Sequence, residues 1–270
     1  MAQPDTRPIA HPSKAPRTSR FSSDRLGSYA LAFATLLLLW QFAAWSLPDF
    51  LLPDPLKVLA QFPDAVVSGS FWAGLLTSLG RLLTALAAAA ALGLGMIFLG
   101  AAFPALRGYF RALMALLQAV PPVAWFPLLL LWFGFGPLPI VIVVTLAALF
   151  PLAIAGLSAL EGVERRWLEL ARVLGAGRRQ EVLRVYLPAA LPAVLAGLEI
   201  GFGNAWRALI AVEMLAGAAR GLGGGIQLAG QLGDMVTVLL GICVIGLLTV
   251  LLDGLLLEPL KRRLLAWRYR

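Results

Sequence analysis

The sequence has almost none of the side chains on which thiol chemistry, histidine catalysis and most metal sites depend. Cys243 is its only cysteine and His11 its only histidine. One cysteine within an apolar run excludes a framework of disulfide bonds. One histidine, in a stretch rich in proline, serine and arginine, excludes an H-E-x-x-H metalloprotease and leaves Ser158 without a base. We therefore expect no catalytic residue and no metal site, and intramembrane proteases are excluded.

Lysine is almost as rare, since the chain has only Lys14, Lys57 and Lys261. None of them lies in G-x-x-x-x-G-K-[ST], the loop whose lysine and backbone amides hold nucleotide phosphates. The sequence therefore predicts no nucleotide site of the P-loop type and no cofactor in this chain.

Charged residues are scarce as well: they make up 13% of the 270 residues, whereas 60% are hydrophobic. Several apolar runs reach roughly 20 residues, the length at which a helix crosses a bilayer. A single soluble core cannot bury such repeated runs, so the composition predicts an all-α membrane protein. The net charge of +8 would suggest a nucleic-acid ligand in a soluble protein, but here it is interpreted as a topology signal.

Six apolar runs are predicted to be transmembrane helices. They cover about residues 28–47, 75–103, 109–133, 138–157, 188–215 and 236–257. The first run follows basic residues, as a signal peptide does, but it is longer and lacks a small-x-small cleavage site, so we interpret it as an uncleaved anchor. The third contains Pro121, Pro122 and Pro127, whose freed carbonyl groups can be satisfied by neighbouring helices.

The remaining segments complete the predicted domain organisation. Residues 1–27 are predicted to be a disordered basic tail and residues 48–74 an external connection. Residues 75–260 form a five-helix core that includes the polar connection 161–187, and residues 261–270 are a basic C-terminus. Of the 22 basic residues, 18 lie in four segments that six spans place on one side of the membrane. These segments are the tail, the connection between the second and third spans, the connection between the fourth and fifth spans, and the C-terminus. By the positive-inside pattern, both termini are expected in the cytoplasm.

The connection at residues 161–187 holds ten charged residues, so it cannot cross the membrane. Leu168, Ala171 and Leu174 are spaced for one helix face, and Val182, Leu183 and Tyr186 for another, with a glycine-rich turn between them. The pattern predicts two short helices at the cytoplasmic membrane surface. Three roles remain open on this pattern alone: an amphipathic linker at the lipid surface, a helix-turn-helix for nucleic acid, and a docking site for a cytoplasmic partner. Membrane spans on both sides and four glutamates disfavour nucleic acid.

The same connection resembles the "EAA" signature of bacterial ABC importer permeases. Glu169-Leu170-Ala171 is followed after three residues by Gly175, after nine more by Val185 and after one more by Leu187-Pro188. The resemblance extends to the nitrate/sulfonate/taurine branch of the family over most of the chain from about residue 50. Its further motifs are residues 121–128, residues 132–136, residues 187–192, Ala205-Trp206 with Glu213, and residues 221–223.

This resemblance implies a type I ABC importer permease fold with six transmembrane helices and cytoplasmic coupling helices. It implies that the connection docks on an ATP-binding subunit, which binds ATP-Mg and hydrolyses it. The implied partners are two ATP-binding subunits, a second copy of this chain, a periplasmic solute-binding protein and the bilayer of the bacterial inner membrane, but no nucleic acid. The coupling residues it implies are Glu169, Ala171, Arg172, Gly175, Ala176 and Arg178.

The fifth run carries polar residues at membrane depth, where each needs a protein or water partner. Arg207 and Asn204 are predicted to face the translocation path and to bind an anion. The alternative is an internal ion pair between Arg207 and a glutamate, which would fix the packing of the helices. Glu213 and Gln118 are further candidates for the path, and Arg81 is expected near the outer end of the second span.

The predicted function is therefore the permease subunit of an ATP-driven importer for a small anionic solute, such as nitrate, a sulfonate or taurine. One alternative is a permease of the same type for a neutral or heterocyclic vitamin precursor. The other is a stand-alone secondary carrier, for which the large polar connection would have no purpose.

Overall fold

The apolar runs fold as helices in the computed structural model of the chain, which describes residues 21–217 and 220–264. Every regular element within these residues is helical, so the all-α prediction is confirmed. The α-helices are α1 (Phe21–Ser46), α2 (Pro55–Ala60), α3 (Phe62–Val67), α4 (Gly69–Ala102), α5 (Pro104–Gln118), α6 (Phe126–Phe133), α7 (Pro137–Glu161), α8 (Arg165–Val173), α9 (Arg178–Glu181), α10 (Leu187–Leu215), α11 (Leu222–Gln231), α12 (Met235–Leu252) and α13 (Glu258–Leu264). A 3₁₀ turn covers Pro122–Trp125, and π-helical turns cover Val182–Tyr186 and Asp253–Leu257.

Five helical segments within the described residues are long and apolar enough to cross a membrane. They are Gly27–Ser46, Gly69–Ala102, Pro137–Glu161, Arg178–Leu215 and Met235–Leu255. A sixth span results if Pro104–Gln118 and Pro122–Phe133, which are bent by 79° at a short break, count as one. The predicted number of six therefore includes one broken span.

The break in this third span lies at two consecutive prolines. Helix α5 ends at Gln118, and Pro121 is extended, with φ −52° and ψ 129°. A proline disfavours the helical conformation of the residue before it, so Pro122 holds Pro121 out of the helix and Pro121 acts likewise on Val120. The structure thus differs from the single proline-containing helix expected over residues 109–133.

Two predicted boundaries at the N-terminal side shift. Helix α1 begins at Phe21, so residues 21–27 of the expected disordered tail are helical. The rest of that tail, residues 1–20, and residues 265–270 lie outside the described part of the chain. The expected external connection at 48–74 contains α2, α3 and the first residues of α4.

The chain divides into two compact units, Met1–Pro55 and Leu56–Arg270. In the first, the chain after α1 folds back on the end of that helix. The indole Nε1 of Trp40 donates to the carbonyl of Pro53 at 3.1 Å, and the amide of Gln41 donates to Asp54 at 3.2 Å. These two bonds fix the turn that follows the helix.

The core of the second unit centres on α7, which packs along α4 and α10. Small residues allow these helices to lie close together. In a membrane the hydrophobic effect does not drive helices together, so close packing of their backbones stabilises the contact instead. A Cβ atom on Gly201 of α10 would lie 2.7 Å from the carbonyl oxygen of Ala148 in α7. A Cβ atom on Gly156 of α7 would lie 2.2 Å from the side chain of Ile97 in α4. At Gly201 the neighbouring atom belongs to the backbone and cannot move aside, so that approach requires glycine.

Candidate functional site

The polar connection at residues 161–187, which we call the coupling segment, folds as a helix, a glycine turn and a second helix. Helix α8 ends in a Schellman motif. The amide of Gly175 donates to the carbonyl of Arg172 at 2.9 Å, and the amide of Ala176 donates to that of Ala171 at 2.9 Å. Gly175 has φ +80°, a conformation that L side chains rarely adopt. The turn therefore needs glycine at this position.

The residues that the EAA resemblance implies for coupling lie on both sides of this turn. Glu169 and Gly175 are exposed, whereas Ala171 and Ala176 are half-buried. The remaining two, Arg172 and Arg178, both bind the carboxylate of Glu181. Two of the six are therefore held by a carboxylate of the segment itself, whereas Glu169 and Gly175 are exposed.

Helix α8 presents large apolar side chains to the outside. Trp167, Leu170, Val173 and Leu174 are 53%, 50%, 84% and 78% exposed. The sequence pattern predicted that Leu174 shares one helix face with Leu168 and Ala171, but Leu174 lies beyond the end of the helix. The helix ends at Val173, and Leu174, with φ −78° and ψ 6°, leaves the helical register. On a polar connection between membrane helices, an exposed apolar patch of this kind is a surface for lipid or for a protein partner.

Arg172 is held in its charged form by a carboxylate of the same segment. The hydrogen bond that Arg172 donates to Glu181 at 2.7 Å, together with the negative charge of that carboxylate, raises the pKa of Arg172 above its ordinary value. The segment therefore offers a fixed positive charge on the side expected to face the cytoplasm.

A cavity of about 450 Å³ lies where α10 faces the break in the third span. Gln118, Asn204 and Arg207, three of the four residues predicted for the translocation path, line it together. The other lining residues are Pro122, Val123, Ala147, Phe150, Pro151, Ala208 and Ala211. The structure thus brings polar groups from α5 and α10 to one mainly apolar cavity, the usual composition of a small-molecule site.

Arg207 is not paired with a glutamate in the described structure. Its guanidinium donates to Oδ1 of Asn204 at 2.8 Å. Glu199 forms an ion pair with Lys261, and Glu213 forms one with Arg81. Both glutamates of α10 are therefore occupied by other cations, and the internal pair considered as an alternative is absent from the part of the chain described here.

Glu213 lies elsewhere, in a buried polar cluster between α4, α10 and the start of α11. Its side chain is 0% exposed. The carboxylate accepts hydrogen bonds from Ser78 at 2.8 and 2.9 Å, from Arg81 at 2.7 Å and from the amide of Gly223 at 3.0 Å. Glu213 thus does not line the cavity with the other three residues predicted for the path.

Two glycines allow the chain to close around this carboxylate. A Cβ atom on Gly221 would lie 2.5 Å from the Glu213 carboxyl carbon, and one on Gly223 would lie 2.4 Å from the carbonyl oxygen of Ile210. The hydroxyl oxygen of Ser78 also accepts a hydrogen bond from the amide of Leu222 at 2.9 Å. Residues 221–223, one of the motifs of the resemblance, therefore lead into α11 and are fixed by Ser78 and Glu213.

The comparison with protein families decides the class of this protein. The family of binding-protein-dependent transport system inner membrane components matches residues 91–257. The chain belongs to this family. The permease is therefore a multi-pass membrane subunit of an ABC importer that works with an ATP-binding subunit and a solute-binding protein. It is not an enzyme, because ATP hydrolysis lies with the partner.

Several relatives are similar over most of the permease. The taurine transport system permease protein TauC of Escherichia coli (strain K12) is 36% identical over 87% of this chain and 87% of its own. The riboflavin transport system permease protein RibX of Chloroflexus aurantiacus is 31% identical over 97% of this chain and 98% of its own. The nitrate import permease protein NrtB of Leptolyngbya laminosa is 30% identical over 84% of this chain and 83% of its own.

Sequence reasoning missed the contacts that join distant parts of the permease. Ser78 and Arg81 meet Glu213 from positions 135 and 132 residues away, and Arg107 contacts Tyr186. Periodicity sorts residues around one helix but does not say which helices meet. The available signal was energetic: Arg81 and Glu213 are ionisable residues in apolar runs, and each therefore required a partner.

Proposed function

We propose that the permease forms the translocation path for a small anion and that Arg207 is the group that binds this anion. The observation that carries the proposal is the position of Arg207 in the cavity, with Asn204 as its hydrogen-bond partner and without a carboxylate counter-ion among the described residues. A cation at membrane depth whose charge is not neutralised by protein attracts an anionic ligand.

The relatives support an anionic solute. TauC is named as a transport protein for taurine, which carries a sulfonate group. NrtB is named as an import protein for nitrate, which is an anion. RibX is named for riboflavin, which favours the alternative of a neutral heterocyclic solute. The charge of Arg207 in the cavity favours the anion, because a neutral solute would leave this cation without a counter-ion. A small anion is therefore the preferred class.

For the assembly, we propose two copies of the permease with two ATP-binding subunits in the bacterial inner membrane. Both termini lie in the cytoplasm, because the basic residues concentrate in the connections on that side. The exposed apolar face of α8 and Glu169 dock on the ATP-binding subunit, which holds ATP-Mg. The solute-binding protein delivers the solute to the opposite face.

The test compares uptake of nitrate, taurine and riboflavin by the whole transporter reconstituted in liposomes. Arg207→Gln removes the charge and is expected to lower uptake of the anionic solute about tenfold, whereas Arg207→Lys retains the charge and loses less. Equal uptake by wild type and Arg207→Gln would contradict the role of Arg207. Uptake of riboflavin alone by the wild type would overturn the anionic class.

A further inference from the structure

One carboxylate of the coupling segment is buried although the segment is otherwise rich in exposed charge. Glu181, the last residue of α9, has a side chain only 5% exposed. Its Oε1 accepts a hydrogen bond from Nε of Arg172 at 2.7 Å, and its Oε2 accepts one from Nη1 of Arg178 at 3.0 Å. Glu181 therefore fastens α8 to α9 across the glycine turn.

Arg178 extends this contact to a membrane helix that is distant in sequence. Its Nη2 donates to the carbonyls of Ala101 and Ala102 at 3.3 and 3.2 Å. These are the last two residues of α4, whose carbonyls have no partner within the helix. A cation at the C-terminus of a helix also interacts favourably with the helix dipole.

A second arginine secures the same helix end. Arg107 in α5 donates through Nε to the carbonyl of Gly100 at 2.5 Å and through Nη1 to that of Leu160 at 3.4 Å. Its guanidinium lies 4.3 Å from the centre of the Tyr186 ring, and that of Arg178 lies 6.0 Å from the same ring. We call Glu181, Arg172, Arg178, Arg107 and Tyr186 the Glu181 cluster.

The cluster connects elements that the covalent chain does not. The coupling segment is joined by the backbone only to α7 before it and α10 after it. Through Arg178 it also holds the end of α4, which is more than 70 residues away in sequence. Charge-assisted hydrogen bonds of this kind are roughly twice as strong as neutral ones, so they can transmit a displacement between rigid helices.

We propose that Glu181 is a positioning residue for energy coupling: it holds Arg178 on the last carbonyls of α4, so that α4 moves with the coupling segment when the ATP-binding subunits close. The inference rests on the proposed docking of this segment on an ATP-binding subunit. It adds the membrane helix that receives the motion and the residues that deliver it. Glu181 itself is buried and does not contact the partner.

The test uses Glu181→Gln, with Arg179→Gln as the matched control. Glutamine has nearly the size of glutamate but lacks the charge that holds both arginines. Arg179 is the neighbour of Arg178 and is exposed, and its side chain forms no hydrogen bond or ion pair within the described ranges 21–217 and 220–264. Glu181→Gln raises the net charge by one, whereas Arg179→Gln lowers it by one. Glu164→Gln, which also raises the net charge by one but at a carboxylate that is 56% exposed, is therefore measured beside them, so that a loss confined to Glu181→Gln reports the contact and not the charge.

The transporter is assembled in liposomes with its ATP-binding subunit, and ATP hydrolysis is measured with and without the solute-binding protein, with taurine and nitrate as probe solutes. Coupling is reciprocal, so a loosened connection weakens the signal from the outer face to the ATPase as well as transport. In Glu181→Gln we expect association of the subunits and unstimulated hydrolysis to persist. The stimulation by the binding protein should fall about tenfold, within the usual range of coupling between sites.

The outcomes separate the proposals. The role of Glu181 is overturned if the solute-binding protein stimulates ATP hydrolysis equally in Glu181→Gln and Arg179→Gln, whether stimulation is full in both or reduced in both. Docking on the ATP-binding subunit is left intact by either result. Failure of the wild type to associate with an ATP-binding subunit overturns the proposed function first. If Glu181→Gln does not assemble, Arg178→Lys is measured, because a lysine can reach the carboxylate or the α4 carbonyls but not both. An intermediate loss of stimulation supports the proposal, and full stimulation contradicts it.

Discussion

Arg81 in α4 and Glu213 in α10 form a salt bridge of 2.7 Å in which the glutamate side chain is fully buried. Arg81 also donates to the carbonyl of Arg220 at 2.8 Å, so the pair binds the turn before α11 as well as the two long helices. A buried carboxylate is tolerated because three groups donate to it, which makes the pair sensitive to the loss of either partner.

Replacement of Glu213 by alanine should therefore destabilise the permease strongly. The change leaves Arg81 without its carboxylate, and loss of one partner from a buried pair costs about 3 kcal/mol or more. The matched control is Glu199→Ala, because Glu199 is the other glutamate of α10 and its pair with Lys261 is partly exposed. Its loss should cost less than about 1 kcal/mol. Thermal unfolding in detergent compares the two, and equal unfolding temperatures would contradict the assigned role of Glu213.

The contact between α7 and α10 should not tolerate a methyl group at Gly201. A Cβ atom there would lie 2.7 Å from the carbonyl oxygen of Ala148, so Gly201→Ala forces the helices apart at a cost of about 1–3 kcal/mol. Gly95→Ala is the control, because its Cβ atom would have nothing within 4 Å. Alanine also favours a helix interior, so this variant should unfold at the same or a higher temperature. A stable Gly201→Ala variant would refute the close approach.

The glycine turn of the coupling segment should be specific to Gly175. With φ +80°, an alanine at this position is strained by about 1–2 kcal/mol, and the Schellman motif opens. Gly177→Ala is the matched control, since Gly177 has φ −76° and open space around its Cα. We expect Gly175→Ala to lower co-purification with the ATP-binding subunit and ATP-dependent uptake, whereas Gly177→Ala retains both. Equal retention in both variants would argue against docking through this turn.

Acidification should remove one stabilising contact at the start of α12. Asp234 accepts hydrogen bonds from the hydroxyl of Thr237 at 2.6 Å and from its amide at 3.0 Å, and these bonds lower the pKa of Asp234 below its ordinary value of 3.8. Its contribution is therefore complete above pH 3.8 and is lost as the pH falls through the lower pKa of the folded protein.

Asp234→Ala should accordingly cost about 1 kcal/mol at neutral pH, the usual value for an N-terminal cap. The difference in unfolding temperature between the variant and the wild type should disappear below the pKa of the folded protein. A difference that persists unchanged at low pH would show that the charge of Asp234 is not the stabilising feature.

The long helices were predictable because apolar runs of this length have one stable structure in a bilayer. The helix–glycine–helix form of the coupling segment was predictable from its spacing and from Gly175. The bend at Pro121 was not, because a proline in a membrane helix is compatible with either a tolerated kink or a break, and neighbouring helices decide.

The polar contacts were the least predictable part of the site. The sequence predicted Arg207, Asn204 and Gln118 for one path, and the structure places them around one cavity. Glu213 shares a helix with two of them, yet it faces α4, and its partners come from positions that no short-range pattern connects. Glu181 was only one charge among ten in its segment, and its burial depends on how α9 packs against the end of α4.

The central claim is that the permease moves solute uphill only when a separate ATP-binding subunit drives the coupling segment. The most direct measurement is solute accumulation in liposomes that contain the permease alone, the permease with the ATP-binding subunit, or Glu169→Lys with that subunit, each with ATP and the solute-binding protein. We predict accumulation only in the second preparation. Accumulation against a gradient by the permease alone would contradict the account.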